Sequence, residues 1–307
     1  RDPLWSRGLG DVYKRQMRDS YESMFSSLEN IGVIRNSLQS AWWFHTASTD
    51  SITEDLITIT DDASNRLGDS GIGCNVTEVI DNFGEDNTTF RLIKGTIVTP
   101  HYLKTVTPLP PTEMKRENGV PQFTFYTEVV FTLLIPQSAA NSTTPAPLMV
   151  LGHGFMGDGE GMVAGLREWS NEYGYATIAT DFKGWSSDGD YDAITFGLLN
   201  INYLQHQSER LQQSVINHLA MVKTIKGKCS DLEEFYHNDT NLVDSGGELN
   251  YLGISLGGIR GPSMLSLIPE LNNGVLFVAG SSFSFIAERS TQLTPVSYTH
   301  LTLPTKA

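Results

Sequence analysis

A serine flanked by glycines, Gly253-Ile254-Ser255-Leu256-Gly257, stands directly behind the strand-like run Leu249-Asn250-Tyr251-Leu252. Small residues on both sides let a chain leave a strand, bend sharply and enter a helix, with the hydroxyl presented at the bend. That chemistry is nucleophilic. A serine hydroxyl attacks a carbonyl only when a base takes its proton and hydrogen-bond donors hold the oxyanion that develops. A second glycine cluster offers the donors: Leu148-Met149-Val150-Leu151 runs into Gly152-His153-Gly154-Phe155-Met156-Gly157, about 100 residues before the serine.

The base is harder to find. His45, His101, His206, His218 and His237 precede Ser255, show no H-x-x-x-H metal-ligand pairing, and read as structural or surface residues. His153 belongs to the glycine cluster and is expected to fix that loop by hydrogen bonding rather than to act on the serine. Glu270 falls before the last expected strand, at the wrong edge for the site, whereas Glu288 follows it and is a candidate acid. The one later histidine is His300. Asp181 and Lys183-Gly184-Trp185 follow a strand end and are expected to shape the rim. Ser186–Asn202 reads as a surface loop, with a lid over an acyl pocket as the alternative.

Gly152, Gly154 and Gly157 also fit G-x-G-x-x-G behind a strand, with Asp181 where a ribose-binding acid would stand, so a dinucleotide-binding domain is a rival reading. Gly159 and Gly161 disfavour a helix beginning at the third glycine, and His153 and Phe155 are bulky for such a turn.

The elements that must hold these residues follow from periodicity. Met17 to Asn65 reads mostly helical, with Met24, Leu28 and Ile31 at helical spacing, and Gly68–Gly84 reads as a loop. Phe90–Val98 and Phe123–Ile135 are extended and expected to pair antiparallel, joined by an exposed, proline-rich connection over Thr107–Gly119. From Leu148 onward short buried strands alternate with helices, the rhythm of a parallel sheet. The strands are Leu148–Leu151, Ala176–Ala179, Leu249–Leu252 and Val275–Ala279; the helices are Met162–Tyr173, Gln207–Lys223 and Leu256–Leu267, the last interrupted by Pro262.

Composition narrows the function. A hydrophobic fraction of 39% and a charged fraction of 18% are those of a globular protein. The longest apolar run, Val129–Ile135, is too short to span a bilayer. A net charge of −14 repels phosphate backbones, so nucleic acid is excluded as the main partner and a neutral or cationic small molecule fits better. Cys74 and Cys229 are open to two readings, a long-range disulfide in an oxidising compartment or, more commonly for such a pair, two buried thiols. N-x-S/T sequons begin at Asn75, Asn87, Asn141 and Asn238 and imply surface loops in a glycosylating host. Residues 1–16 and 295–307 read as artefactual, adapter-like tails. They leave an expected helical extension at 17–85 and an α/β core at 86–294 that is incomplete at its C-terminus.

The loop at Gly152–Gly157 resembles the His-Gly oxyanion loop after the third strand of α/β-hydrolases. The resemblance implies that the backbone N–H groups of Phe155 and Leu256 form the oxyanion hole, and that the acid and histidine follow the serine in the chain. Together with Trp43–Ser48, Gly95-Thr96, His101–Leu103 and Phe131–Pro136, the two glycine motifs make the chain similar to secreted bacterial lipase-like α/β-hydrolases, including virulence-factor lipases. That similarity implies a mostly parallel sheet flanked by helices and an exported enzyme, secreted, periplasmic or on the cell surface. It implies a carboxylic ester substrate, small or lipid, with transient contact at a lipid surface, and no cofactor or metal. With the acid and histidine absent from the expected core, the chain itself is expected to be at best weakly active. A serine peptidase or acyltransferase shares the same motifs, and a non-catalytic binding protein could keep the same fold.

Overall fold

The computed structural model describes residues 18–42, 46–107, 112–187 and 203–281. The chain divides into two compact units, 1–52 and 53–307. In the first, a helix over 18–30 (α1) carries Glu22 and Phe25, against which Arg35 packs with an ion pair of 3.0 Å and a stacked guanidinium at 3.9 Å.

The second unit is built on one mixed sheet. Its strands are β1 (Cys74–Asp81), β2 (Thr89–His101), β3 (Phe125–Pro136), β4 (Ala146–Gly152), β5 (Ala176–Ala179), β6 (Leu249–Ile254) and β7 (Leu271–Phe277), in the spatial order β1-β2-β3-β5-β4-β6-β7. The first three run antiparallel, and β3 also pairs antiparallel with β5. From β5 through β4 and β6 to β7 every pairing is parallel. The parallel strands are therefore brought side by side by the helices between them, as the alternation of short strands and helices requires.

Period-2 alternation sorts the side chains onto two faces. On β4, Leu148 and Val150 enter one core cluster while Met149 and Leu151 enter the other. The larger cluster takes Ile59, Ala63 and Leu67 from α2 (Thr49–Leu67), a run from Val215 to Ile225 of α5 (Leu204–Lys226), and Leu256 and Met264 of α6 (Leu256–Leu267). The smaller one is roofed by Met162 and Val163 of the short helix α3 (Gly159–Gly165), Trp169 of α4 (Arg167–Tyr173) and Leu166 between them. Both faces of β4 are closed, which is why its sequence is continuously apolar.

Several expectations need correction. Gly68–Gly84 is not simply a loop, because its second half is β1. As an edge strand packed on one face only, β1 exposes Asn75, Thr77, Glu78 and Val79, and that polarity hid it. Met162–Tyr173 is two helices that begin at Gly159, and α6 runs on through Pro262 to Leu267. The ring lies six residues behind the helix's first, and the carbonyl four back belongs to Gly258, which has no side chain to crowd it. β7 begins at Leu271, four residues before the expected start. Cys74 and Cys229 are bonded across 155 residues of sequence, so the thiol reading falls. The bond ties the start of β1 to the loop after α5, where Lys228 N–H also donates to Ser70 O (2.9 Å). Among the described residues no helix is long and apolar enough to cross a membrane.

Candidate active site

β4, β5, β6 and β7 end on the same edge of the sheet, and the two glycine motifs lie there, behind the adjacent strands β4 and β6. Ser255 is the single residue between β6 and α6. Its backbone sits at φ 55°, ψ −110°, outside the regions L-residues favour, and its side chain makes no capping hydrogen bond. Two bonds hold it in that geometry: Ser255 N–H donates to Phe277 O (3.0 Å), and Ile259 N–H donates to Ser255 O (2.9 Å). The residue is partly exposed.

The flanking glycines are required by contact. A β-carbon on Gly253 would fall on the carbonyl of Gly257, and one on Gly257 would fall on the carbonyl of Gly152. One on Gly152 would overlap the Tyr251 hydroxyl, which donates to Gly257 O (2.8 Å). Gly257 N–H in turn donates to His153 O (2.9 Å), stitching the first turn of α6 to the loop after β4. In that loop a β-carbon on Gly154 would stand 3.5 Å from Ser255 Cβ and 4.0 Å from its Oγ. The two motifs, about 100 residues apart in sequence, thus touch.

Phe155 follows Gly154, is partly exposed, and packs its ring 5.4 Å from Trp185. The next two amides of the loop are spoken for: Met156 N–H donates to Trp185 O (3.2 Å) and Gly157 N–H to Gly154 O (3.0 Å). Leu256 is buried and opens α6, where an amide has no carbonyl four residues back within the helix.

Both ring nitrogens of His153 are engaged within the fold. Phe182 N–H donates to its Nε2 (2.8 Å), which fixes the proton on Nδ1, and Nδ1–H donates to Gly154 O (2.7 Å). Burial holds its pKa below the usual histidine value, so the ring stays neutral. Behind it, Phe182 stacks on His218 (5.0 Å), whose Nδ1–H donates to Ser214 O and whose pKa burial lowers to about 4. His101 is likewise buried, against Phe125, and lowered to about 4 by burial. His206 is mostly buried, and His237 is exposed on a hairpin. His45, residues 188–202 of the expected lid, Glu288 and His300 lie outside the described residues. Glu270 pairs with Lys223 at 3.1 Å.

Sequence reasoning missed Asp158. It caps α3, accepting from Gly161 N–H (2.5 Å) and Ser187 hydroxyl (2.6 Å). Burial would raise its carboxyl, but those two bonds outweigh it and keep the group below the ordinary aspartate range. Its signal was legible, an aspartate just before a helix. The dinucleotide reading meets this residue first: a carboxylate occupies the helix N-terminus where a pyrophosphate would sit. Asp181 also turns inward, accepting from Gly159 N–H (2.7 Å). A cleft of about 640 Å³ is lined by Lys94, Thr96, Phe131, Glu160 and Asp181 and by Asp158 and Gly159 just behind the loop; none of Ser255, Phe155 and Leu256 lines it. Among the described residues no group of three His, Cys, Asp or Glu is placed to hold a metal ion.

No family model and no curated protein matches the chain. Among solved structures it is similar to acetyl xylan esterase 1 from Thermoanaerobacterium sp. JW/SL YS485, with 12% identity and a TM-score of 0.47 over 86% of this chain and 70% of that one. It is similar to an acetyl xylan esterase from Paenibacillus sp. R4, with 15% identity and a TM-score of 0.45 over 86% and 71%, and to methylesterase BT1017, with 13% and 0.41 over 77% and 43%. By its own topology, a mixed sheet whose parallel half is flanked by helices with the serine turn behind β6, the chain has an α/β fold.

Proposed function

We propose that this chain carries the nucleophile and oxyanion machinery of a serine hydrolase acting on carboxylic esters. Ser255 Oγ attacks the ester carbonyl, the amides of Phe155 and Leu256 receive the oxyanion, the alcohol leaves, and water releases the acyl group from the serine. Gly152, Gly154, Gly253 and Gly257 serve by letting the loop and the turn approach, and His153 by fixing the loop. The observation that carries the reading is the backbone of Ser255: a non-glycine residue at φ 55°, ψ −110°, placed against Gly154 at the end of two parallel strands. Strain of that kind persists only where the surroundings over-determine it, and it clusters at functional turns.

The base lies outside the described residues. Residues 256–281 contain no histidine, and each described histidine is buried or stands on a surface hairpin. An exported setting is in keeping with the Cys74–Cys229 bond, because disulfides persist in oxidising compartments. The test compares p-nitrophenyl esters of rising acyl length with peptide amides, using Ser255→Ala as control. Ester cleavage that vanishes in the variant supports the assignment. Hydrolysis by the variant at the wild-type rate refutes it, and preference for amides would move the reading to a peptidase.

A further inference from the structure

The four N-x-S/T sequons are not scattered over the fold. All four asparagines are exposed, and three of them gather at the end of the sheet opposite the serine turn. Asn87 lies in the turn between β1 and β2 at φ 58°. Its neighbour Thr88 accepts through its carbonyl from Gln137 N–H (2.9 Å), at the start of the helical turn Gln137–Ala140 that Asn141 ends. From Asn141 the chain runs into β4 at Ala146, whose N–H donates to Leu242 O (2.8 Å), just beyond the hairpin of Tyr236-His237 and Thr240-Asn241. Asn238 is at the tip of that hairpin, at φ 48°. The hairpin is also bound to the start of β2: the His237 ring lies 4.9 Å from Phe90, and Arg91 Nη1 donates to Glu234 O (2.8 Å). The parallel strands begin at this end and Ser255 stands where they finish.

We propose that Asn87, Asn141 and Asn238 are N-glycosylation acceptors and that their oligosaccharides cover the base of the sheet. The transferred glycan is bulky and hydrophilic, so a sequon is usable only where the folded chain leaves the asparagine in water, and turn tips do this best. A second observation sets the compartment. The Cys74–Cys229 bond forms where thiols are oxidised, as they are where glycosylation occurs. In the transfer, the Asn Nδ2–C1 bond forms as the C1–O bond to a polyprenyl-diphosphate-linked oligosaccharide breaks; the amide loses one proton and the polyprenyl diphosphate leaves. Transfer precedes folding, because Thr89, the hydroxyl residue of the Asn87 sequon, is buried in the finished sheet. Asn75, on β1 beside the bonded Cys74, is outside the proposal.

The full chain, secreted from a eukaryotic host, is digested with peptide:N-glycosidase in heavy-oxygen water and mapped by mass spectrometry. The expected result is heavy aspartate at positions 87, 141 and 238 in most molecules, and one step of mobility lost for each of Asn87→Gln, Asn141→Gln and Asn238→Gln. Where a glutamine variant is not secreted, Thr143→Ala and Thr240→Ala keep the asparagines and remove only the sequons, with the same loss expected. A secreted, disulfide-bonded chain in which any of the three asparagines is mostly unmodified overturns the proposal. Ester hydrolysis is not used as a readout, so failure here leaves the Ser255 assignment untouched.

Discussion

Replacing Ser255 by glycine should make the protein more stable while removing its nucleophile. At φ 55°, ψ −110° the β-carbon of Ser255 is in a conformation that only glycine adopts without cost. Strain of this kind is worth about 1–3 kcal/mol. Glycine also frees the unfolded chain, which offsets roughly 0.4–1 kcal/mol. The side chain has no capping hydrogen bond to lose. The net expectation for Ser255→Gly is therefore a gain of roughly 0.5–2 kcal/mol, or a few degrees in Tm at about 2–4 °C per kcal/mol for a chain of this size. Ser255→Ala keeps the β-carbon and the strain, and should stay within about 0.5 kcal/mol of wild type. Urea unfolding of the three proteins, followed by circular dichroism, gives the comparison. Both variants should be inactive on p-nitrophenyl esters. If the glycine variant is no more stable than the alanine variant, no strain is stored at this turn and the argument for a nucleophile held by its backbone fails.

Acid should destabilise the fold through two buried histidines. His101 and His218 are lowered from 6.5 to about 4, so the stability they confer is complete above pH 6.5 and is lost as pH falls towards 4. Each contributes up to about 1.4 kcal/mol per pH unit in that window, and His218→Phe should remove one proton's worth of slope from the stability profile. Reducing the Cys74–Cys229 bond frees a segment of 155 residues in the unfolded chain and should cost about 2–4 kcal/mol, read as a lower urea midpoint in dithiothreitol and matched by Cys74→Ser. Gly152→Ala drives a methyl onto the Tyr251 hydroxyl and should cost about 1–3 kcal/mol, with ester hydrolysis falling further than stability because the loop after β4 moves; unchanged hydrolysis would separate that loop from the chemistry.

The sequence made β4 and β5 readable because both of their faces are buried. Continuous apolar runs such as Leu148–Leu151 and Ala176–Ala179 have few other uses, and Leu256–Leu267 was bounded correctly from the turn that precedes it. β1 was missed for the opposite reason, since a strand at the edge of a sheet can be as polar as a loop. At the site, Gly253 and Gly257 were legible because each is forced by a backbone contact, and Gly152 by the Tyr251 hydroxyl, that no other residue permits. The contacts among Asp158, Ser187 and Gly161, and between Phe182 and His153, were not, because they join side chains and amides whose proximity appears only after the strands are ordered. The same holds for the disulfide: two cysteines 155 residues apart carry no register until β1 and the end of α5 are placed.

β7 bears on how the protein behaves in solution. Val275 and Phe277, on the last strand of the sheet among the described residues, are each 59% exposed, and Val278, just behind it, 64%. Greasy side chains on a strand that, among the described residues, pairs along one side only invite a neighbouring molecule to add its own strand. What opposes this is mutual repulsion between copies that each carry a charge of −14. Because that repulsion is screened within about 10 Å at 0.1 M ionic strength, salt and crowding, rather than heat, are the conditions under which the protein would first come out of solution.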